Sequence, residues 1–185
     1  MQTGALSPEL KRLLDTKHLA ALGPEPRDGT LSRGDIDAEL AAAFRGARFS
    51  PAVRDLFTAG AYLWHDHLDA SHTIAQGIET PDGSLLHGIM HRREPDYGNA
   101  KYWFRRVGSH PSFLSLAVRA SELLEKADES DLHSRLIPNK TWDPFAFTDA
   151  VEDAAEGQFR SKIPLLQQLQ KLEFECFFEN LLNRL

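Results

Sequence analysis

Helical periodicity is the feature that most constrains the fold of this chain of 185 residues. Apolar side chains recur near i, i+3 and i+4 in almost every patterned segment, and strand-like alternation is nowhere long enough to build a sheet. Ser50–Pro51 and Asp143–Pro144 each pair an N-cap residue with a proline in the first helical turn. The last run, from about residue 163 to 185, carries one broad apolar stripe. The pattern predicts an all-α protein, a helical bundle or an array of antiparallel helical hairpins.

The distribution of glycine and proline divides the chain into two parts. Residues 22–34 (LGPEPRDGTLSRG) have no apolar period and read as a Gly/Pro-rich connector. A short helix is expected before it, within PELKRLLD. We therefore predict an N-terminal helix and connector over residues 1–34, and a single all-α domain over residues 35–185.

Composition and charge exclude several classes of protein. The net charge of −6 argues against a general nucleic-acid binder, which needs a basic face for the phosphates. No apolar run approaches the roughly 18 residues of a membrane span, and the first residues lack the pattern of a signal peptide. Cys176 is the only cysteine and lies in an apolar helical run, which favours a buried, unreactive thiol. We expect a cytoplasmic globular protein with no nucleic-acid or membrane partner.

The segment from residue 84 to 111 carries the pattern of a helical hairpin. The residues that form the pattern are Gly88, Asp96, Tyr97, Ala100, Phe104 and Pro111. Ala100 and Phe104 place a small and a large side chain on one helix face, and Gly88 allows a second helix to approach closely. On these residues the segment resembles a tetratricopeptide repeat, a helix–turn–helix unit of about 34 residues. The resemblance implies a scaffold for protein interaction.

Three positions depart from the repeat pattern. His87 stands where the family usually has leucine, His91 where it usually has tyrosine, and Ser84 where it has an early tryptophan. A weaker echo of the pattern lies upstream at Tyr62, Ser71 and Ala75. The segment is also similar to uncharacterised bacterial proteins, which implies no activity. Histidine thus occupies two positions, 87 and 91, at which the repeat pattern has a packing residue. We therefore consider these histidines as candidate ligands.

The histidines form a candidate metal site. His87 and His91 are four residues apart, a spacing that places two imidazoles on one helix face where they can share a divalent metal. A zinc or iron site needs a third ligand, which the upstream sequence WHDHLDASH could supply. The candidate ligands are His87, His91, His65 and His72. Gly88 replaces the glutamate of an HExxH motif, which excludes a zincin-type protease. In the alternative interpretation, the central histidines are hydrogen-bonded packing residues, and His65 is a solvated helix-end residue.

Cations and aromatic residues of the same segment form a candidate anion site. Its candidate residues are Arg92, Arg93, Tyr97, Lys101, Tyr102 and Arg106. Arginine matches carboxylate and phosphate geometry with two parallel hydrogen bonds, and aromatic rings can stack on a planar ligand. The alternative is a solvated or salt-bridged helix face, with Glu94 and Asp96 as partners.

Two hypotheses about function follow. In the first, the chain is a module resembling tetratricopeptide repeats that binds a protein or assembles with itself, with Phe174 and Phe178 of the last helix at an interface. In the second, the hairpin 84–111 binds a metal or an anion, with or without catalysis. A Gly-rich nucleotide loop and a G-x-S-x-G nucleophile elbow are both missing from the sequence.

Overall fold

The computed structural model describes residues 8–45 and 49–183, and all the regular secondary structure among them is helical, with no strand. The helices are α1 (Pro8–Leu14), α2 (Arg33–Ala43), α3 (Pro51–Trp64), α4 (Leu68–Ala75), α5 (Pro81–Arg93), α6 (Tyr97–Val107), α7 (Ser112–Lys126), α8 (Ser130–Leu136), α9 (Pro144–Ala155) and α10 (Ile163–Leu182). The predicted all-α class is confirmed. Among these helices, none is both long enough and apolar enough to cross a bilayer.

Side-chain caps explain where two of the predicted helices begin. The Ser50 hydroxyl accepts a hydrogen bond from the Val53 amide at 3.3 Å. The Asp143 carboxylate accepts from the amides of Phe145 at 2.8 Å and Ala146 at 3.1 Å. Each cap satisfies amides that have no partner within their own helix, and the proline that follows needs none. The predicted starts of α3 and α9 are therefore confirmed.

Helices α5 and α6 form the close hairpin expected for residues 84–111. A Cβ atom built on Gly88 would lie 2.5 Å from the ring of Phe104, so only glycine fits against this ring. Ala100 and Phe104 are both buried. The packing agrees with the spacing that led to the hairpin prediction, whereas membership of the tetratricopeptide family stays a resemblance.

The last helix, α10, runs through the core. Phe174 packs edge-on against Trp64 with ring centroids 5.3 Å apart, and Phe178 stacks on Phe57 at 5.2 Å. Phe174 and Phe178 are at most 1 % exposed. The expectation that they form an interface with another molecule is wrong, because their rings are already used within the chain.

The thiol of Cys176 on the same helix is buried, which agrees with the expected unreactive cysteine. Burial also raises its pKa, which disfavours the nucleophilic thiolate.

The N-terminal segment shares this core. Leu10, Leu13 and Leu14 of α1 are buried in the same cluster as the residues of α3 and α10. The Gln170 amide of α10 donates to the Ala21 carbonyl at 3.0 Å. Residues 8–34 thus pack against the predicted domain 35–185, and residues 1–7 lie outside the described part of the chain.

Candidate metal centre

Three histidines meet where α4 packs against α5. Helix α4 contributes His72, and α5 contributes His87 and His91 from successive turns of one face. One nitrogen from each imidazole lies within 4.8 Å of the corresponding nitrogens of the other two. The ring of His72 meets those of His87 and His91 edge-on, with centroids 5.0 and 5.5 Å away. Three of the four predicted metal ligands are thus brought together.

The most buried member of this cluster is His87, which is 2 % exposed. Its Nδ1 is buried and has no hydrogen-bond partner among the described residues. Burial, followed by the neighbouring imidazoles of His72 and His91, lowers the pKa of His87 to about 4; the Gly83 carbonyl one turn earlier opposes the shift. The ring is therefore neutral near pH 7, the form that binds metal. An unpaired buried polar atom carries a free-energy cost of about 1–3 kcal/mol, which a ligand would relieve.

Two polar neighbours orient the imidazole of His91. Its Nδ1 lies 3.2 Å from the carboxylate of Glu94, and its Nε2 lies 3.1 Å from the side-chain amide nitrogen of Asn99. These contacts fit the tautomer in which Nδ1–H donates to Glu94 and the Nε2 lone pair accepts from Asn99. Burial lowers the pKa of His91, with Glu94 opposing the shift. A carboxylate behind the ligating imidazole is the usual second partner of a metal-bound histidine.

An aromatic side chain closes one side of the cluster. The indole of Trp103 on α6 stacks on His87, with ring centroids 4.2 Å apart and planes inclined by 9°. The guanidinium of Arg106 lies 5.3 Å from the Trp103 ring centroid. The side formed by His87 is thus covered, whereas His72 is partly exposed.

The fourth predicted ligand, His65, lies elsewhere. Its Nδ1 accepts from the Leu31 amide at 3.1 Å, and its Nε2 contacts the Leu13 carbonyl at 2.9 Å. Burial lowers the pKa of His65 to about 4. Both ring nitrogens are therefore used to join the N-terminal segment to the end of α3. The inclusion of His65 in the metal set is wrong, and so is the alternative that it is a solvated residue.

Arg92 does not face solvent and cannot hold an external anion. Its side chain is fully buried and pairs with Glu173 of α10, with Nη1 and Oε1 3.2 Å apart. Its Nη2 donates to the Gln170 side chain at 3.2 Å, and its guanidinium lies 4.4 Å from the ring centroid of Phe147. This arginine fastens α5 to α9 and α10, contrary to the predicted anion site.

The same correction holds for Arg93. Its Nη2 donates to Asp66 at 2.8 Å, its Nη1 donates to the Leu63 carbonyl, and its Nε donates to the Gly23 carbonyl at 3.3 Å. Asp66 follows α3 in the left-handed conformation, with φ of 67°, and its carboxylate also binds Arg27 at 3.2 Å. The two arginines therefore share one buried carboxylate.

The other predicted anion-binding residues are dispersed. Lys101 pairs with Asp149 and with Glu152 of α9. Tyr97 lines a separate cleft beside α9 and α10. Tyr102 and Arg106 remain on the exposed face of α6. The six residues do not converge on one ligand.

A polar cleft of about 490 Å³ is lined in part by Glu94, the residue whose carboxylate contacts His91. Its lining residues are Pro24, Arg33, Asp66, His67, Leu68, Asp69, Ala70 and Glu94. Asp69 lies three residues before His72 on α4, and Glu94 lies three residues after His91 at the end of α5. The two acidic residues line the same cleft, whereas His72, His87 and His91 are not among its lining residues.

A set of three imidazoles suits zinc and other divalent transition metals. Zinc–nitrogen bonds of about 2.0–2.1 Å in a tetrahedral site bring ligand nitrogens to about 3.4 Å from one another. The rings must therefore rotate inward from their present separation when a metal binds. The sequence indicates Glu94 only as an ion-pair partner and Trp103 only as a ring that stacks on a planar ligand or packs beneath a guanidinium group; the stacking of Trp103 on His87 and the contact of Asn99 with His91 are found only in the structure. The spacing of four residues between Asn99 and Trp103 on α6, beside Ala100 and Phe104, was the available signal.

Comparison with protein-family models, curated proteins and solved structures finds no match for this chain.

Proposed function

We propose that this chain binds a divalent transition metal, zinc in the first place, through His72, His87 and His91. Two observations support the proposal: one nitrogen of each of the three imidazoles lies within 4.8 Å of the others, and Nδ1 of the buried His87 has no hydrogen-bond partner among the described residues. Glu94 adds to it, because its contact with Nδ1 of His91 leaves the lone pair on Nε2, and a metal would take this lone pair in place of the present donor, Asn99. A cluster that served only for packing would gain nothing from leaving a buried nitrogen unpaired.

The test is metal content and affinity of untagged protein purified without chelators. We expect about one metal ion per chain by elemental mass spectrometry, and a saturable zinc isotherm by calorimetry. The variants His72→Ala and His91→Ala should each lose more affinity than the roughly 10–100-fold that removal of an outer-shell partner costs.

The matched control is His133→Ala, which removes a partly buried histidine that contacts Ser121 at 3.1 Å on another part of the surface. Its zinc affinity should equal that of the unaltered protein. Absence of stoichiometric zinc binding by the unaltered chain would refute the proposal, and so would equal affinity in all three variants.

A second candidate function, protein interaction or self-assembly, is favoured by one surface. Leu114 and Val118 lie one turn apart on α7 and are 67 % and 61 % exposed. Two large apolar side chains adjacent on one helix face are suited to contact with a partner. We expect Leu114→Asp/Val118→Asp to reduce the apparent mass in light scattering if the chain self-associates. A monomeric mass for both proteins at all concentrations would remove the self-assembly form of this candidate.

A further inference from the structure

We infer that the cleft between the N-terminal connector and helices α6, α9 and α10 binds a small primary amine with one compact apolar group. The apolar group would lie against α9 and α10, and the ammonium group between Glu25 and the ring of Tyr97. The inference does not rest on the proposed metal binding, because His72, His87 and His91 are not among the lining residues of this cleft.

The lining of the cleft is mostly apolar. Leu22, Val151 and Ile163 are its larger aliphatic residues, and alanines, prolines and a glycine form most of the rest. The cleft has a volume of about 280 Å³. This volume lies just below the roughly 300–1,000 Å³ of pockets for drug-sized ligands, which limits the ligand to a molecule with about one ring.

The connector side of the cleft is fixed before any ligand binds. The Gly23 carbonyl accepts from Nε of Arg93 at 3.3 Å, and the Ala21 carbonyl accepts from the side chain of Gln170 at 3.0 Å. These bonds attach the connector to α5 and to α10 on either side of Leu22. A preformed wall lowers the entropic cost of binding a ligand.

Two polar side chains are placed to hold the polar end of a ligand. The lining residues that carry a polar side-chain group are Glu25, Tyr97 and Gln167. The amide nitrogen of Gln167 already donates to the Ala20 carbonyl at 3.3 Å. A Cβ atom on Gly23 would overlap the Glu25 carboxylate, so this carboxylate lies against the connector wall. Glu25 and Tyr97 are therefore the groups assigned to the ligand.

The charges around the cleft favour a cation. Within the described part of the chain, Glu25 is the one charged residue of the lining. Burial raises the pKa of the Tyr97 hydroxyl. The carboxylates that raise this pKa further are those of Glu152, Glu156 and Glu25, and Arg92 opposes the shift. The carboxylates thus disfavour a second negative charge beside Tyr97 and favour an ammonium group there.

Glu25 and the Tyr97 ring offer complementary contacts to an ammonium group. Glu152 lies 3.6 Å from Lys101, so its carboxylate is shared with a cation of the protein. Glu25 is exposed, and its carboxylate is able to accept a charge-assisted hydrogen bond from a ligand. The face of a tyrosine ring attracts a cation that lies within about 6 Å of its centroid. A carboxylate ligand would be repelled by the same glutamates.

A matched pair of probes tests the inference on the full chain, with a chelator present to keep metal from the histidine cluster. 2-Phenylethylamine and 2-phenylethanol carry the same apolar group and are similar in size, but only the first is a cation near neutral pH. Backbone amide shifts in nuclear magnetic resonance titrations give both the affinity and the place of binding. We expect both probes to shift the amides of Tyr97, Val151 and Ile163, and the amine to bind about fivefold more tightly, as one exposed ion pair would provide.

Two variants separate the polar contact from the apolar cleft. Glu25→Gln should remove the advantage of the amine and leave the affinity for the alcohol unchanged. Ala155→Phe, at an exposed lining residue, should fill the mouth of the cleft and weaken binding of both probes. The control is Glu122→Gln, since Glu122 is an exposed glutamate that lines a different cleft, and it should behave like the unaltered protein.

Each other result identifies which part of the inference fails. If neither probe gave saturable shifts of the cleft amides, or if Ala155→Phe bound both as tightly as the unaltered protein, the site would be overturned. Equal affinity for the two probes, or an advantage of the amine that survives Glu25→Gln, would overturn the class of ligand. None of these results bears on zinc binding, so the proposed function is tested separately.

Discussion

The buried imidazole of His65 makes the stability of the metal-free protein depend on pH. Burial lowers its pKa from 6.5 to about 4, the Leu13 carbonyl partly opposes the shift, and Arg27 adds to it. The neutral ring uses one nitrogen as acceptor for the Leu31 amide and the other as donor to Leu13. Protonation would abolish the acceptor and place a charge between α1 and α3, so the folded state resists it.

The sign and size of the effect follow from proton linkage. Between pH 6.5 and 4 the unfolded chain binds the proton and the folded chain does not, so the free energy of unfolding rises with pH across this window. The contribution of His65 is complete above pH 6.5 and is lost as the pH falls toward 4. Integration gives a loss of about 2 kcal/mol between pH 7.5 and 5, with a local slope of about 1.2 kcal/mol per pH unit.

The variant His65→Gln isolates this contribution. Glutamine can accept from Leu31 and donate to Leu13, but it does not titrate. Urea denaturation at several pH values, with a chelator present, should show a shallower fall in unfolding free energy for the variant, by about 2 kcal/mol over the same interval. His133→Gln serves as the control for the removal of a histidine. If His65→Gln retained the pH slope of the unaltered protein, the assignment of a neutral, buried imidazole would be refuted.

Three further predictions concern the hairpin and its supports. Glu94→Gln should weaken zinc binding about 10–100-fold in calorimetry, because it alters the side chain that contacts Nδ1 of His91. The far-ultraviolet circular dichroism should be unchanged. Equal zinc affinity in the variant would contradict a role for Glu94 in orienting His91. Gly88→Ala should lower the free energy of unfolding by about 1–3 kcal/mol, because the added Cβ would overlap the ring of Phe104. Gly98→Ala should not lower it, because no atom lies within 4 Å of a Cβ at that position. Equal urea midpoints for the two variants would contradict the close approach at Gly88. Glu173→Gln should lower the free energy of unfolding by about 3–5 kcal/mol in the same urea assay, since it removes the counter-charge of the buried Arg92. A change below about 1 kcal/mol would show that the Arg92–Glu173 pair is not isolated from water.

The surroundings of α5 explain how the histidines reach one face. Residues 82–93 are buried throughout, so this helix is enclosed by its neighbours. Arg92 anchors it to α10 through Glu173, and Arg93 anchors it to the end of α3 through Asp66. Because three consecutive residues of a helix point about 100° apart, these two anchors leave His91 directed toward α4 and α6. The ion pairs thus contribute to the orientation of the candidate centre.

Several features could be predicted from sequence because they depend on local geometry. Helical period and proline-capped starts follow from backbone sterics and hydrogen bonding within a few residues, and both were confirmed at α3 and α9. The shared face of His87 and His91 follows from the pitch of one helix. The close packing at Gly88 was likewise implied by the spacing of Ala100 and Phe104.

Only the tertiary structure decided which distant residues complete these local patterns. His65 and His72 are equally plausible partners in sequence, yet the turn between α3 and α4 directs His65 to Leu13 and His72 to the cluster. Arg92 looks like a surface cation, but its partner Glu173 lies 81 residues away. The physical reason is that helix period specifies directions around one axis, whereas the rotation and packing of several axes depend on the whole core. A metal site or a buried ion pair exists only where those axes meet.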